Sequence, residues 1–268
     1  MHFQLARPAR LLIALLLAAA SPAAFAQAFD AVRLFGAAPG EDGGTVGAVL
    51  VSSPAYAGSN ERWNRIYPLL DYQWKNGWFA GTTNGIGLDF SKDPRTQYGL
   101  RLTADLGRQE SRSAALAGMG DIDIRPEVGG FFNYNLTREV FLTSSLRYGS
   151  GNDRQGLTVD LGAGWSDYVA PRWRLGLGVA ATLLNANAMQ SRFGVSTAQA
   201  VTSGYAEYTP GAGLRDLRGN FALTYIVTPR FLMTGAVTLS GLLGDAKDSP
   251  LVRRTSQASG VFAVSYGF

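Results

Sequence analysis

The residues able to carry chemistry are few. The chain has 268 residues, a single histidine at His2 and no cysteine. Past residue 2 there is therefore nothing from which to build a Ser-His or Cys-His nucleophile, an Asp-His pair or the usual zinc site. Two carboxylate pairs remain, Asp121 and Asp123 on either side of Ile122, and Asp245 with Asp248. A glycosidase needs such a pair at a fixed separation, and nothing in these stretches fixes one. Lys75, Lys92 and Lys247 all fall in turns or loops, too well solvated to serve as a base for a Ser/Thr-Lys dyad. No catalytic residue, cofactor or metal is expected, and the chain reads as a non-enzyme. Its 24 basic and 20 acidic residues are scattered rather than gathered into a basic stripe with interleaved aromatics, which argues against nucleic acid.

The elements that would position any site are strands. Ahead of them, Arg7 and Arg10 precede an apolar run at 11–20, then Ser21-Pro22 and Ala24-Phe25-Ala26. This is the n-region, h-region and A-x-A site of a secretory signal peptide, with cleavage before Gln27. Residues 1–26 are thus a leader and residues 27–268 one mature domain. The apolar run is too short to cross a bilayer as a helix, and no later run is longer.

The last thirteen residues set the pattern. Phe262, Val264, Tyr266 and Phe268 alternate with Val261, Ala263, Ser265 and Gly267, so one face is aromatic and apolar and the other small. Side chains alternate across a strand, and this is a strand with lipid on one side and a barrel interior on the other. The same period of two runs through 231–240 and 220–227, joined at 228–230, and through 173–179 and 159–165, joined at 169–171. It continues upstream through 140–148, 122–134, 98–106, a Gly-rich stretch at 78–90, then 66–74 and 45–52. The weakest candidate is 29–37.

The fold class is all-β, a transmembrane antiparallel up-and-down β-barrel. An exported amino terminus and a carboxy terminus at Phe268, both in the periplasm, require an even number of strands. Counting 78–90 as one strand and admitting 29–37 gives about twelve; ten is the alternative. On that count 53–64 is a long periplasmic connection, while 108–121, 184–212 and 242–255 are outside. Trp74 and Trp78 then sit at the opposite end of the barrel from Trp165 and Trp173, as two aromatic girdles would. Arg101, Asp105, Asp123, Arg125, Glu127, Arg147, Asp160, Arg172 and Arg174 point inward. Their mixed signs favour an ion-paired lumen over a selective pore lined by a ring of one charge.

Several motifs are similar to those of one family. Tyr56-Ala57-Gly58-Ser59-Asn60 resembles the Y-x-G-S-D/N signature of the MltA-interacting protein (MipA/OmpV) family. Gly118-Met119-Gly120-Asp121, Phe193-Gly194-Val195, Leu243-Gly244-Asp245 and Asp248-Ser249-Pro250-Leu251 follow in the family's order, and the chain ends on its Tyr266 and Phe268. It departs at Ala188 and Arg192, where family members usually carry tyrosines.

The resemblance implies a cell outer membrane barrel without catalytic residues. Such a barrel is proposed to act as a scaffold in peptidoglycan biosynthesis, joining a lytic transglycosylase to a bifunctional murein synthase; some relatives are described as antigens, adhesins or permeability determinants. The expected partners are accordingly the outer-membrane bilayer, the barrel-assembly machinery reading Tyr266 and Phe268, and those two cell-wall enzymes. A narrow channel or a surface antigen is the alternative. Within 53–64, Tyr56, Arg62 and Trp63 are the candidate partner-binding residues. Gly58, Ser59, Asn60, Gly244, Asp245, Ser249 and Pro250 read as turn chemistry.

Overall fold

The computed structural model describes residues 41–268. The expected signal peptide, its cleavage site and the candidate strand at 29–37 lie outside the described residues. Among the described residues, twelve strands close into a barrel in which every strand pairs with its sequence neighbours and the last returns to the first. They are β1 (Gly43–Pro54), β2 (Arg62–Gln73), β3 (Trp78–Gly81), β4 (Gly85–Asp89), β5 (Thr96–Asp105) and β6 (Arg125–Asn135). The second half comprises β7 (Val140–Ser150), β8 (Gly156–Ala170), β9 (Trp173–Leu184), β10 (Gly213–Thr228), β11 (Phe231–Leu242) and β12 (Ser256–Gly267). All pairings are antiparallel, and closure comes from β1 on β12, with Thr45 opposite Gly267 and Val51 opposite Val261.

The alternation read from the sequence decides which side chains face which way. On β12, Phe262 and Tyr266 are exposed on the outside while Val261, Ala263 and Ser265 are buried inside. The outward set continues around the wall with Leu100, Leu102, Val128, Phe132, Leu146, Leu161, Val179, Phe221 and Leu239, all exposed. A barrel wall with an apolar exterior is solvated by lipid rather than water, and pairing around the ring takes up the backbone polar groups except along part of β2. Inside, Val49, Val51, Ala222, Ala236, Val261 and Ala263 form an apolar patch. Beside it, Thr224 and Thr234 share a hydrogen bond at 3.0 Å, and the Thr238 hydroxyl donates to Asn220 Oδ1 at 2.7 Å.

The strand count agrees with the expectation, but its membership does not. The stretch 78–90 is a hairpin, not one strand, because Thr82-Thr83-Asn84 turns back through Gly85 at φ +77°, a conformation that L side chains avoid. Everything before it therefore runs opposite to the predicted direction. The connection after β1, expected with the short turns, lies at the long-loop end, where Tyr56 donates its hydroxyl proton to the Leu251 carbonyl at 2.8 Å. The two Trp pairs likewise share one end. Trp74 lies edge-on to Tyr72, Tyr72 lies 6.2 Å from the Phe268 ring, and Trp173 packs 4.8 Å from Tyr225. All four outward tryptophans thus make one girdle at the short-turn end, and the fifth, Trp63, is at the other end facing in.

The hairpin is also short. On its β3 side β2 pairs only from Asp71 to Gln73, with Leu70 tied to Thr82 just above. Among the described residues nothing pairs with that side of 62–69, about 25 Å of strand edge. The wall therefore has a gap between β2 and the upper part of β5. Pro68, which lacks an N–H, sits on this edge, where a missing donor costs no ladder bond.

Candidate functional site

The long-loop end is closed by a folded cap. Loop 106–124 carries two short 3-10 turns, loop 185–212 carries α1 (Ala186–Phe193) and α2 (Thr197–Ser203), and loop 243–255 carries α3 (Gly244–Lys247). Asn185 caps α1 by accepting from Ala188 N, and Ser196 with Gln199 forms a complete capping box on α2. The underside of α1 and α3 is apolar, with Ala188, Met189, Phe193 and Ala246 packed on Leu184 and Leu242. Met119, Val195 and Leu251 join the three loops in a second small core. Hydrogen bonds across the seams include Gln199 Nε2 to the Met119 carbonyl at 2.7 Å, and the hydroxyls of Tyr205 to Ala115 O at 2.9 Å and of Tyr208 to Asp245 O at 2.7 Å.

The family-like motifs are the fastenings of this cap. Gly58, at φ +98°, offers its carbonyl to the amides of both Arg253 and Arg254 and takes Gln257 Oε1 on its own N–H. Ser59 is buried and accepts from Glu61 N, whereas Asn60 is exposed. Ser249 donates to the Phe193 carbonyl at 2.6 Å and accepts from Leu251 N. Asp245, which follows Gly244 at the start of α3, receives Gly211 N at 2.7 Å, and Pro250 is half-buried beside Leu251. Burial pushes the Tyr56 hydroxyl up in pKa and keeps it a donor to Leu251. The two motifs, one after β1 and one before β12, thus clasp each other.

Beneath the cap the lumen is crossed by ion pairs. Asp160 on β8 receives Arg147 at 2.7 Å, Arg218 at 3.1 Å and the Thr182 hydroxyl at 2.6 Å. Arg147 also reaches Glu127 at 3.6 Å, Arg218 reaches Asp216 at 3.5 Å, and Asp216 is paired with Arg215. From the cap, Arg192 on α1 comes down to Asp105 at 2.8 Å, and Arg108 donates to the Arg192 carbonyl. Burial, and then the neighbouring Arg192, pull Arg108 down to about 10, still a cation at neutral pH. Arg101 is buried and donates to Ser145 at 2.7 Å.

Most of the charges expected inside are there. Asp123 and Arg172 are not; Asp123 is an exposed loop residue paired with Arg125, and Arg172 sits at φ +69° in a tight turn. Arg215, Asp216 and Arg218 lie outside the expected set, because β10 begins seven residues before the alternation at 220 becomes plain. Arg192, the departure from the family pattern, is the cap's ionic tie to the barrel. The loop carboxylates do structural work, Asp121 accepting from Glu110 N as Asp245 does from Gly211 N. The three candidate partner residues are not one surface. Tyr56 is buried in the cap, Arg62 faces outward and hydrogen-bonds Ser52 and the Ala258 carbonyl, and Trp63 faces the lumen.

Comparison with known proteins gives one assignment. No curated protein matches the chain. An outer membrane channel from Pseudomonas putida F1 shares 11% identity over 87% of this chain and 97% of its own, with a TM-score of 0.48. The KdgM porin shares 10% over 84% of this chain and 99% of its own, with a TM-score of 0.45. Overlaps that loose carry nothing about function. The model of the family described as "MltA-interacting protein MipA" matches residues 46–268.

Proposed function

We propose that this chain, which belongs to the MltA-interacting protein MipA family, is a non-enzymatic scaffold of the outer membrane that presents its short-turn end to cell-wall enzymes. In the usual orientation of outer-membrane barrels the long loops lie outside and the short turns lie in the periplasm. The observation that carries this reading is the capped mouth: three loops pack together over it and ion pairs cross the lumen beneath them. A porin, by contrast, keeps a water-filled channel along its axis. What the molecule offers to the periplasm is instead a rim of exposed cations. Lys75, Lys92, Arg95, Arg138, Arg172 and Arg230 supply every connection at that end with at least one positive charge. Among the described residues none of the six is in an ion pair. The nearby acids are engaged in their own turns, Asp42 accepting from Lys75 N, Asp93 from Arg95 N and Glu139 from the Thr137 hydroxyl.

The family's description names MltA, and the partners we infer are a lytic transglycosylase and, through it, a bifunctional murein synthase. Docking is assigned to the cationic rim, not to 53–64, because the latter is at the other end. The test is affinity capture from detergent-solubilised envelope with Lys92→Glu/Arg95→Glu and Arg172→Glu/Arg230→Glu variants. Loss of a lytic transglycosylase with folding intact supports the rim; capture unchanged in both variants removes it. Stable porin-like conductance in planar bilayers would favour a channel instead.

A further inference from the structure

We propose that the gap in the wall between β2 and β5 is a side entrance that binds a single-chain anionic amphiphile. Its charged head would lie between Arg65 and Arg112, and its tail would pass out through the gap into the bilayer. This inference does not rest on the scaffold reading and concerns the opposite end of the barrel.

Four observations carry it. Two guanidiniums share one indole, Arg65 Cζ lying 3.5 Å and Arg112 Cζ 4.6 Å from the Trp63 ring centroid. Among the described residues neither arginine has a carboxylate within ion-pair reach, and Arg112 Nε is buried with no hydrogen-bond partner. Two like charges in contact with one ring repel each other, and an anion between them removes that cost while meeting the unused Arg112 Nε–H; Arg65 already has a hydrogen bond with Tyr67. Burial, then Arg65, already pull the Arg112 guanidinium below its ordinary pKa.

The second observation is access. Arg65 alternates with outward Asn64 and Ile66 and so faces the lumen with Trp63 and Tyr67, yet it is exposed. That exposure lies where β2 has lost its neighbour. The third is the chemistry of the opening. Its outer lips are apolar, with Ile66 74%, Leu70 43% and Leu102 49% exposed. Its floor is the polar turn Thr82-Thr83-Asn84, whose hydroxyls are taken up by β2. A polar turn and a bare strand edge at membrane depth are tolerated only where water or a polar group reaches them. The fourth is height. At a strand tilt near 40° each residue climbs about 2.5 Å, which puts Arg65 about 22 Å above the Trp74 girdle. The apolar band of such barrels is about 25 Å tall, so the guanidiniums lie at headgroup level, with the lower part of the gap, along 66–69, beneath them among acyl chains.

The test uses the folded mature barrel in neutral-lipid nanodiscs, with hexadecanoate as probe, hexadecanol as its uncharged match and acetate as its tail-less match. Saturable binding of hexadecanoate is expected, with hexadecanol not competing and acetate competing only at far higher concentration. Arg65→Gln/Arg112→Gln should weaken hexadecanoate by about tenfold or more, the loss expected for charge-assisted hydrogen bonds. Ala104 is exposed on the outer face of β5, just past the last residue paired with β4; Ala104→Trp should weaken hexadecanoate and leave acetate unchanged, and this arm stands even where the double variant does not fold. A brominated hexadecanoate should quench the wild type more than Trp63→Phe, since Trp63 is the tryptophan beside the site. Absence of saturable binding, or binding indifferent to the arginines and to Ala104→Trp, overturns the proposal. Acetate binding as tightly as hexadecanoate also overturns it, leaving a small-anion subsite with no role for the gap.

Discussion

Replacing Asp160 with Asn is the sharpest perturbation of the lumen. The amide keeps its size and can still accept from Thr182, so the change is one of charge. It removes the partner of Arg147 at 2.7 Å and of Arg218 at 3.1 Å, leaving them Glu127 at 3.6 Å and Asp216 at 3.5 Å. Each lost contact is a hydrogen bond between charged groups, worth about 1.5–3 kcal/mol. Breaking a buried pair from one side costs about 3–5 kcal/mol, because the remaining charge stays desolvated. Glu127 and Asp216 recover part of that, so the net expectation is about 3 kcal/mol. Urea unfolding of the barrel in phospholipid vesicles, followed by heat-modifiable mobility and by circular dichroism, measures it. Adding Arg147→Met to Asp160→Asn removes the stranded cation, and the double variant should lose less than the sum of the singles. A loss below about 1 kcal/mol with an unchanged denaturant slope would mean that water solvates these charges, and the argument for a filled lumen would fail.

The other expectations are simpler. Glu127→Ala leaves Arg147 without one of its two acids and should destabilise the barrel by about 2–4 kcal/mol in the same assay. Purified protein in planar bilayers should give no stable large conductance, whereas deletion of the cap loop 186–212 should raise current noise without opening a porin-sized pore, since the ion pairs stay. Deleting Phe268 removes both backbone hydrogen bonds to Gly44 and an aromatic from the girdle; less heat-modifiable protein should reach the outer membrane, while molecules that do fold should capture partners normally. Tyr56→Phe loses the bond to Leu251 and should cost about 1 kcal/mol, read as faster protease nicking of the cap.

Much of the wall was legible because its physics is local. An alternation such as that of 261–268 says which side is lipid without knowledge of anything else. The hairpin at 78–90 departs from the expectation for a local reason too, as two short strands of four and five residues rich in glycine look like one irregular strand. That single error reversed the assignment of 53–64 and of Trp74 and Trp78, since direction is inherited along an up-and-down chain. Helices α1 and α2 carry a local signal in the sequence. Asn185 stands three residues before Ala188, and Ser196-Thr197-Ala198-Gln199 is a capping-box pattern. What no pattern held was the pairing of Arg192 with Asp105, or of Arg65 and Arg112 over Trp63, because each joins a loop to a distant strand.

The clasp between the Tyr56 and Leu251 segments has a bearing on biogenesis. Its partners are 195 residues apart, one just after the first strand and the other just before the last. Contacts that distant form late, because the entropy of closing so long a loop must be overcome first. The lid therefore fastens only on a chain that has been delivered to its final strand, and a truncated or stalled polypeptide presents it open. An unfastened lid leaves Leu251, Phe193 and Leu116 open to solvent, though all three are fully buried in the finished barrel. The fastening that shuts the mouth is thus a property of the whole chain, and one that no fragment ending before Leu251 can possess.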